Sequence, residues 1–410
     1  MILIIFVGKY NVWKHLMLSF MKYNFDEIID RSHTAAVKWD GLNEVWGRTD
    51  LIPMWVADMD FATAPFVLEA IKKRCENPVL GYTCKPDSYY QAIIRWVKER
   101  YGWNIEREMI NFVPGIVPGI GMAMNAFTEK GDKVMIMPPV YHPFAWLTER
   151  NERVLVTCPL RWEEGMYRMD MDCFRQQVKG CKLFILCNPH NPGGVVWTEK
   201  ELNEVARICH EEGVLVFSDE IHADLTLPPH RHRPFAMMSE EASMNSVTFM
   251  SPSKAFNMPG LTASHAIIPN PQLRSRFRKY MDACELDLGH VFAFLAVEAA
   301  YSNGTEWLDQ CLSYIQGNID FADSYLKAHA PKIKVVRPQA SYLVWLDCRE
   351  LGMTQKMLND FFVDKAHLAL NDGAVFGKEG EGFMRLNVGC PRSVLEQAMK
   401  QLVEAYRHIQ

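Results

Sequence analysis

Lys254, Asp219 and Asn191 are the residues of this chain best suited to chemistry, because each follows an apolar run that reads as a buried strand. Lys254 comes after Ser246-Val247-Thr248-Phe249-Met250, inside Ser251-Pro252-Ser253-Lys254-Ala255-Phe256-Asn257. Lysine is normally solvated, so an amine at the mouth of a buried strand must be stabilised or chemically used. Asp219 ends Leu215-Val216-Phe217-Ser218-Asp219, and Asn191 follows Phe184-Ile185-Leu186-Cys187 within Asn188-Pro189-His190-Asn191-Pro192-Gly193-Gly194. Alone, Asn191 suits a turn and Asp219 suits a helix cap. Together the amine can condense with an aldehyde, the carboxylate can keep a pyridine nitrogen protonated, and the amide can hydrogen-bond a phenolate oxygen. Those are the contacts of pyridoxal 5'-phosphate, a cofactor that carries the hard chemistry while the protein orients it.

A phosphate needs backbone N–H and hydroxyl donors, which a helix N-terminus supplies. Val113-Pro114-Gly115-Ile116-Val117-Pro118-Gly119 precedes an apolar helical pattern from Met122 to Thr128. Gly115, Ile116 and Val117 therefore offer amides, Ser251 and Ser253 offer hydroxyls, and Tyr141, after Pro138-Pro139-Val140, can stack on a ring. Rival chemistries fit less well. The Gly115/Gly119 loop lacks the full Gly-x-Gly-x-x-Gly spacing of a nicotinamide site. Ser251-Pro252-Ser253-Lys254 matches the Ser-x-x-Lys of penicillin-recognising acyl transferases, but the Ser-Asp-Asn and Lys-Thr-Gly partners are missing from the sequence. His222, His230 and His232 have a metal-like spacing, yet Arg231 and Arg233 interleave them and no carboxylate completes the set, so no metal is expected.

The elements that must position these residues alternate between helix and strand, the pattern of an α/β layer architecture. Strands are expected at 110–113, 133–137, 154–158, 182–187, 214–218 and 246–250, apolar enough to be covered on both faces. Helices are expected at 64–77, 87–101 and 199–212, the last entered through Thr198 with Glu201 completing a capping box. Beyond about 304 the pattern changes to a long helix at 307–329, strands at 335–338 and 342–347, and a final helix at 393–408. Residues 64–304 are therefore expected to form a large cofactor-binding domain, and 22–63 with 305–410 a smaller one.

Bulk properties exclude other classes. The chain has 410 residues, 49% hydrophobic and 23% charged, as in globular proteins. A formal net charge of −5 without a long basic run argues against nucleic acid as a partner. The 11 cysteines form no Cys-x-x-Cys pair, and Cys187, Cys209 and Cys284 sit in apolar runs where a free thiol packs as a small hydrophobe, so a reducing cytoplasm is expected. Met1–Val7 is too short to span a bilayer, and no membrane partner is expected. Residues 1–20 are expected to be an upstream extension before a start at Met21; N-terminal mass spectrometry finding Met1 in the native protein would overturn that.

In their order these motifs resemble the fold-type I pyridoxal phosphate enzymes, the aspartate aminotransferase superfamily, over nearly all of residues 22–410. Trp55-Val56-Ala57-Asp58-Met59-Asp60-Phe61, Asp219-Glu220-Ile221-His222-Ala223-Asp224 and Arg385-Leu386-Asn387-Val388-Gly389-Cys390-Pro391-Arg392, with the Asn191 and Lys254 segments, are similar to the C–S β-lyase subgroup. That subgroup includes cystathionine β-lyases and the maltose-regulon modulator. The resemblance implies a large domain with a mostly parallel seven-stranded sheet covered by helices, and a smaller α+β domain. It implies that Lys254 binds the aldehyde and moves the Cα proton, that Asp219 pairs with the pyridinium, and that Asn191 and His222 sit near the phenolate oxygen. Tyr141 would stack on the ring, and Gly115, Ile116, Val117, Ser251 and Ser253 would hold the phosphate. Arg385 would fork the substrate carboxylate, near Trp55 and Ala57. Tyr82, in Gly81-Tyr82-Thr83, would reach into a neighbouring subunit's site, implying a homodimer. His222 stands where many aminotransferases have tyrosine, and Thr262 where many have arginine; both departures are normal for the lyases. The expected reaction is release of a thiol, pyruvate and ammonia from cystathionine or a related S-substituted cysteine. The alternatives are transamination and, in another class, service as a regulatory binding partner of a transcription factor.

Overall fold

The computed structural model describes residues 22–409, so the expected extension over residues 1–20 lies outside the described residues. Helix α1 (Pro65–Cys75) opens on proline, whose missing N–H falls where no helical partner exists. Helix α2 (Asp87–Tyr101) closes on Gly102 at φ +72°, a left-handed turn that favours glycine. Strands β1 (Ile110–Val113), β2 (Lys133–Ile136) and β3 (Val154–Thr157) follow, separated by helices α3 (Ile116–Phe127) and α4 (Pro143–Arg150). Next come β4 (Cys181–Cys187), α5 (Glu199–Glu211), β5 (Leu215–Asp219) and β6 (Ser246–Met250). In α5 the Thr198 side chain accepts from the Glu201 N–H while Glu201 accepts from the Thr198 N–H, the capping box expected there.

These strands form one sheet with a seventh strand, β7 (Ser264–Ile267), in the order β1-β7-β6-β5-β4-β2-β3. All run parallel except β7, which is antiparallel to both β1 and β6. Side chains alternate across the sheet, as a period of two demands. Leu183, Ile185 and Phe217 face one core with α3, whereas Phe184, Leu186 and Val216 face another with α5. Helices α6 (Pro271–Ala283) and α7 (Val291–Asn303) complete the cover, α6 against α3 and α7 against α1 and α2. Gly119 lets α3 approach the sheet, since a Cβ there would meet Val113 Cγ2 at 2.9 Å.

The chain then runs through α8 (Thr305–His329) to a four-stranded antiparallel sheet. Its strands are β8 (Lys334–Val336), β9 (Leu343–Asp347), β10 (Asn371–Asp372) and β11 (Phe383–Asn387), ordered β8-β9-β11-β10, before α9 (Arg392–Arg407). The early segment Ile52–Pro53 pairs in parallel with Leu368–Ala369. All 11 cysteines are free thiols. Cys187 and Cys209 are buried, but Cys284 is exposed, because α6 has already ended at Ala283 when the chain reaches it.

Candidate active site

The centre of the large sheet explains why widely spaced residues meet. β4, β5 and β6 are adjacent and parallel, with Cys187 beside Asp219 and Asp219 beside Phe249. Neighbouring strands lie about 4.8 Å apart, so the residues leaving their carboxyl ends share one edge. A cavity of about 280 Å³ opens there, walled by Asn191, Asp219, His222, Lys254, Tyr141 and Ala57 among others. Ligands of open α/β sheets collect at such edges.

Lys254 Nζ donates to the Ala57 carbonyl at 2.6 Å. Burial lowers its ammonium to about 8, with Asp58 and Asp219 pulling the other way and Arg385 reinforcing the fall. Asp219 is buried and accepts from the Ile221 N–H at 3.1 Å. Burial raises its carboxyl to about 7, against that N–H and the Lys254 charge. His222 is buried and neutral, lowered to about 3 by burial and by the Lys254 and Arg385 charges. Its Nδ1 has no hydrogen-bond partner among the described residues, an orphan that a ligand oxygen could satisfy. Tyr141 lines the wall with its hydroxyl raised by burial.

Arg385 reaches the same place from β11. It is buried, and its Nη1 donates to Asn191 Oδ1 at 3.2 Å while Nη2 donates to the Trp55 carbonyl at 3.0 Å and Asn371 Oδ1 at 2.5 Å. Its guanidinium lies 4.9 Å from the Phe376 ring centroid, and burial lowers it to about 10. Every side-chain or backbone acceptor it meets among the described residues is neutral, and Nε has no partner. A buried cation without a counter-ion is costly, and a ligand carboxylate would relieve it.

The remaining expected residues divide. Gly115 is the N-cap of α3 at φ +121°, and the free first-turn amides are those of Ile116 and Val117, because Pro118 has none and Gly119 N already donates to Gly115 O. Ser253 lines the cavity. Ser251 stands behind it, its hydroxyl bonded to the Ala263 carbonyl at 2.7 Å and to Ser253 Oγ at 2.9 Å. Trp55 offers Arg385 its carbonyl, while its indole donates to the Lys38 carbonyl at 3.0 Å. Tyr82 is not on the wall of this cavity; it stands fully exposed beside exposed Val79 and Leu80.

Several positioning residues were not expected. Asn257 accepts from Met59 N at 2.9 Å and donates to the Met59 and Phe61 carbonyls, and Asn387 donates to the Val56 and Asp58 carbonyls. Tyr342 donates to the Ala57 carbonyl at 2.9 Å, beside the lysine. Buried Lys38 pairs with Asp60 at 2.6 Å and Arg31 with Asp58 at 2.7 Å, fixing the same 55–61 segment from its outer side. Asn257 lies within a motif singled out from the sequence, so its place beside Lys254 was a usable signal; Tyr342 and Lys38 carried none. His232 is spent on Glu220 at 2.7 Å, and no cluster of three metal-ligating side chains occurs among the described residues.

Comparisons with known proteins give the family. The model of the family "aminotransferase class I and II" matches residues 49–402. Cystathionine beta-lyase PatB of Bacillus subtilis is 41% identical over 384 residues, 93% of this chain and 99% of that one. Protein MalY of Escherichia coli is 33% identical over 391 residues, 94% of this chain and 100% of that one. The crystal structure of cystalysin from Treponema denticola, which contains pyridoxal 5'-phosphate, matches with a TM-score of 0.92 at 33% identity, covering 95% of this chain and 100% of that one.

Proposed function

The chain belongs to the aminotransferase class I and II family, and on that premise we infer that it is a pyridoxal phosphate-dependent carbon–sulfur β-lyase. Its fold is that of the fold-type I enzymes, and its substrate is a small amino acid. We propose cystathionine or a related S-substituted cysteine. The observation that carries this is one cavity walled by an amine, a buried carboxylate and a buried amide, with a buried arginine that has no counter-ion bonded to that amide's oxygen.

When bound, pyridoxal phosphate supplies an electron sink that makes the substrate Cα–H acidic. Lys254 would hold its aldehyde, Asp219 its ring nitrogen, Asn191 and His222 its phenolate oxygen, and Tyr141 a ring face. The orphaned His222 Nδ1 and the free amides of Ile116 and Val117 fit this group. A cationic ring nitrogen would hold Asp219 ionised although burial raises it to about 7. Gly115, Ile116, Val117 and Ser253 would hold the phosphate, with Ser251 supporting Ser253. Arg385 would take the substrate carboxylate in a planar fork that lysine cannot copy, with Trp55 and Ala57 lining that end.

The chain's own work is then proton transfer and grip. Displaced from the aldehyde by the substrate's amine, the freed Lys254 amine, within reach of the Ala57 carbonyl, would remove the Cα proton, and a thiolate on Cβ would depart. Water completes the conversion to thiol, pyruvate and ammonia. With its ammonium lowered to about 8, Lys254 keeps a useful neutral share near neutral pH. General-base help of this kind is worth ~10²–10⁴-fold.

A homodimer in which Tyr82 enters the neighbouring site belongs to the same proposal, supported by the exposed Tyr82, Val79 and Leu80. So does a cytoplasmic location, supported by the free thiols. No described helix is long and apolar enough to cross a membrane. The division into 64–304 and a smaller unit of 22–63 with 305–410 is likewise proposed, supported by the pairing of Ile52–Pro53 with Leu368–Ala369. The test is incubation of the loaded enzyme with cystathionine and no keto acid. Pyruvate release is expected; dependence on an added keto acid would make the protein a transaminase instead.

A further inference from the structure

The run His230-Arg231-His232-Arg233, which holds no metal cluster among the described residues, walls a second cavity of about 320 Å³. Arg100 and Tyr101 from the end of α2 complete the wall with Ala223, Asp224 and Thr226. None of these residues lines the cofactor cavity. One short stretch serves both places. Asp219 and His222 face the cofactor cavity, whereas Ala223 and Asp224 face the second.

The second cavity has two poles. Its acceptors are buried. Asp224, 7% exposed, accepts at Oδ1 from the Trp96 indole at 3.0 Å and from the Tyr101 hydroxyl. Its Oδ2 takes no hydrogen bond from a described residue, and burial raises its carboxyl against the Arg100 charge and those two donors. His232 is 6% exposed, with Nε2 at 2.7 Å from Glu220. Glu220 also accepts from the Phe235 N–H and the Ser218 hydroxyl, so the Nε2 hydrogen donates to a carboxylate. In the neutral ring Nδ1 is then an acceptor, and it has no partner among the described residues. The cations stand further out. Arg233 pairs with Glu199 at 2.9 Å and Arg100 with Asp309 at 3.3 Å, but exposed Arg231 meets no carboxylate among the described residues. A plain anion would meet Asp224 on the wall, and a plain cation would meet the arginines. A ligand with an ammonium at one end and a carboxylate at the other satisfies both poles.

We propose that this second cavity binds a free α-amino acid, whose ammonium donates to Asp224 Oδ2 and His232 Nδ1 and whose carboxylate accepts from Arg231. The site is separate from the catalytic one, and the 219–224 stretch joins the two. The experiment uses full-length protein loaded with pyridoxal phosphate and reduced with borohydride, which blocks the catalytic cavity. It is titrated by calorimetry with L-alanine, with propionate, which lacks the ammonium, and with ethylamine, which lacks the carboxylate. Alanine should bind once per chain, and the two one-pole probes at least about tenfold more weakly. Arg231→Ala and Asp224→Asn should each loosen alanine roughly tenfold. Arg231 lies on the exposed rim, so Arg231→Ala should keep the catalytic rate of the unreduced enzyme; if Asp224→Asn fails to fold, the Arg231 variant decides alone. Absence of alanine binding, or equal affinity of Arg231→Ala and wild type for alanine, would overturn the site. Propionate binding as tightly as alanine would overturn the ligand class and leave a plain anion site.

Discussion

Asp219 and Lys254 line one cavity, Arg385 is bonded to its Asn191 wall, and burial works against all three charges. In the cofactor-free chain Asp219 holds its proton up to about pH 7, while the unfolded chain releases it in the ordinary carboxylate range. Between those limits the folded state binds more protons, so this residue costs stability as pH rises. Lys254 titrates in the opposite sense: above about pH 8 the folded chain has lost a proton that the unfolded chain keeps, so stability recovers towards the ordinary lysine range. Asp219→Asn should therefore stabilise the cofactor-free protein at pH 8, on the order of 2 kcal/mol, measured by urea unfolding. The same variant should lose ~10²–10³-fold in kcat once loaded, because the charge facing the ring nitrogen is gone. Arg385→Lys keeps the charge but loses the fork, and kcat/KM should fall about 10²-fold, mostly through KM. An unchanged KM would mean that the substrate carboxylate binds elsewhere.

At the scale of elements, the site is an edge of three parallel strands closed by a segment that belongs to none of them. β4, β5 and β6 bring Asn191, Asp219 and Lys254 together simply by being neighbours. The 55–61 segment closes over the lysine because Asn257, in the turn after β6, Tyr342, just before β9, and Asn387, at the end of β11, bind its backbone. Asn257→Ala removes three hydrogen bonds at once and should cost about 2–3 kcal/mol, read as a lower urea midpoint with an unchanged slope. It should also lower kcat by letting the Ala57 carbonyl drift from Lys254. A stability loss with kcat intact would show that the segment needs no such fixing. The strand ends were legible in the sequence because apolar runs stop abruptly at polar residues. β7 was not, since Ser264-His265-Ala266-Ile267 is short and carries a histidine, and neither was α7, whose apolar residues run round the helix without a polar face.

At the scale of the molecule, the cavity of one chain lacks any contribution from Tyr82, which stands exposed. If a second copy supplies that tyrosine, inactive Lys254→Ala chains co-refolded with weakened Tyr82→Ala chains should regain activity, because one site of each mixed dimer is whole. No gain on mixing would place Tyr82 in its own subunit's chemistry or in none. The sequence by itself determined the alternation of layers, most boundaries of the central strands, and the amine, carboxylate and amide that their ends carry. Those are local properties: periodicity, capping and an abrupt polar stop need no partner to be read. Only the tertiary structure decided that Arg385 meets Asn191, that Ala57 seats the Lys254 amine, that Ser251 stands behind Ser253, and that Arg100 shares a second cavity with Asp224. Each of these depends on contacts between segments apart in the chain, which leave no trace in local sequence.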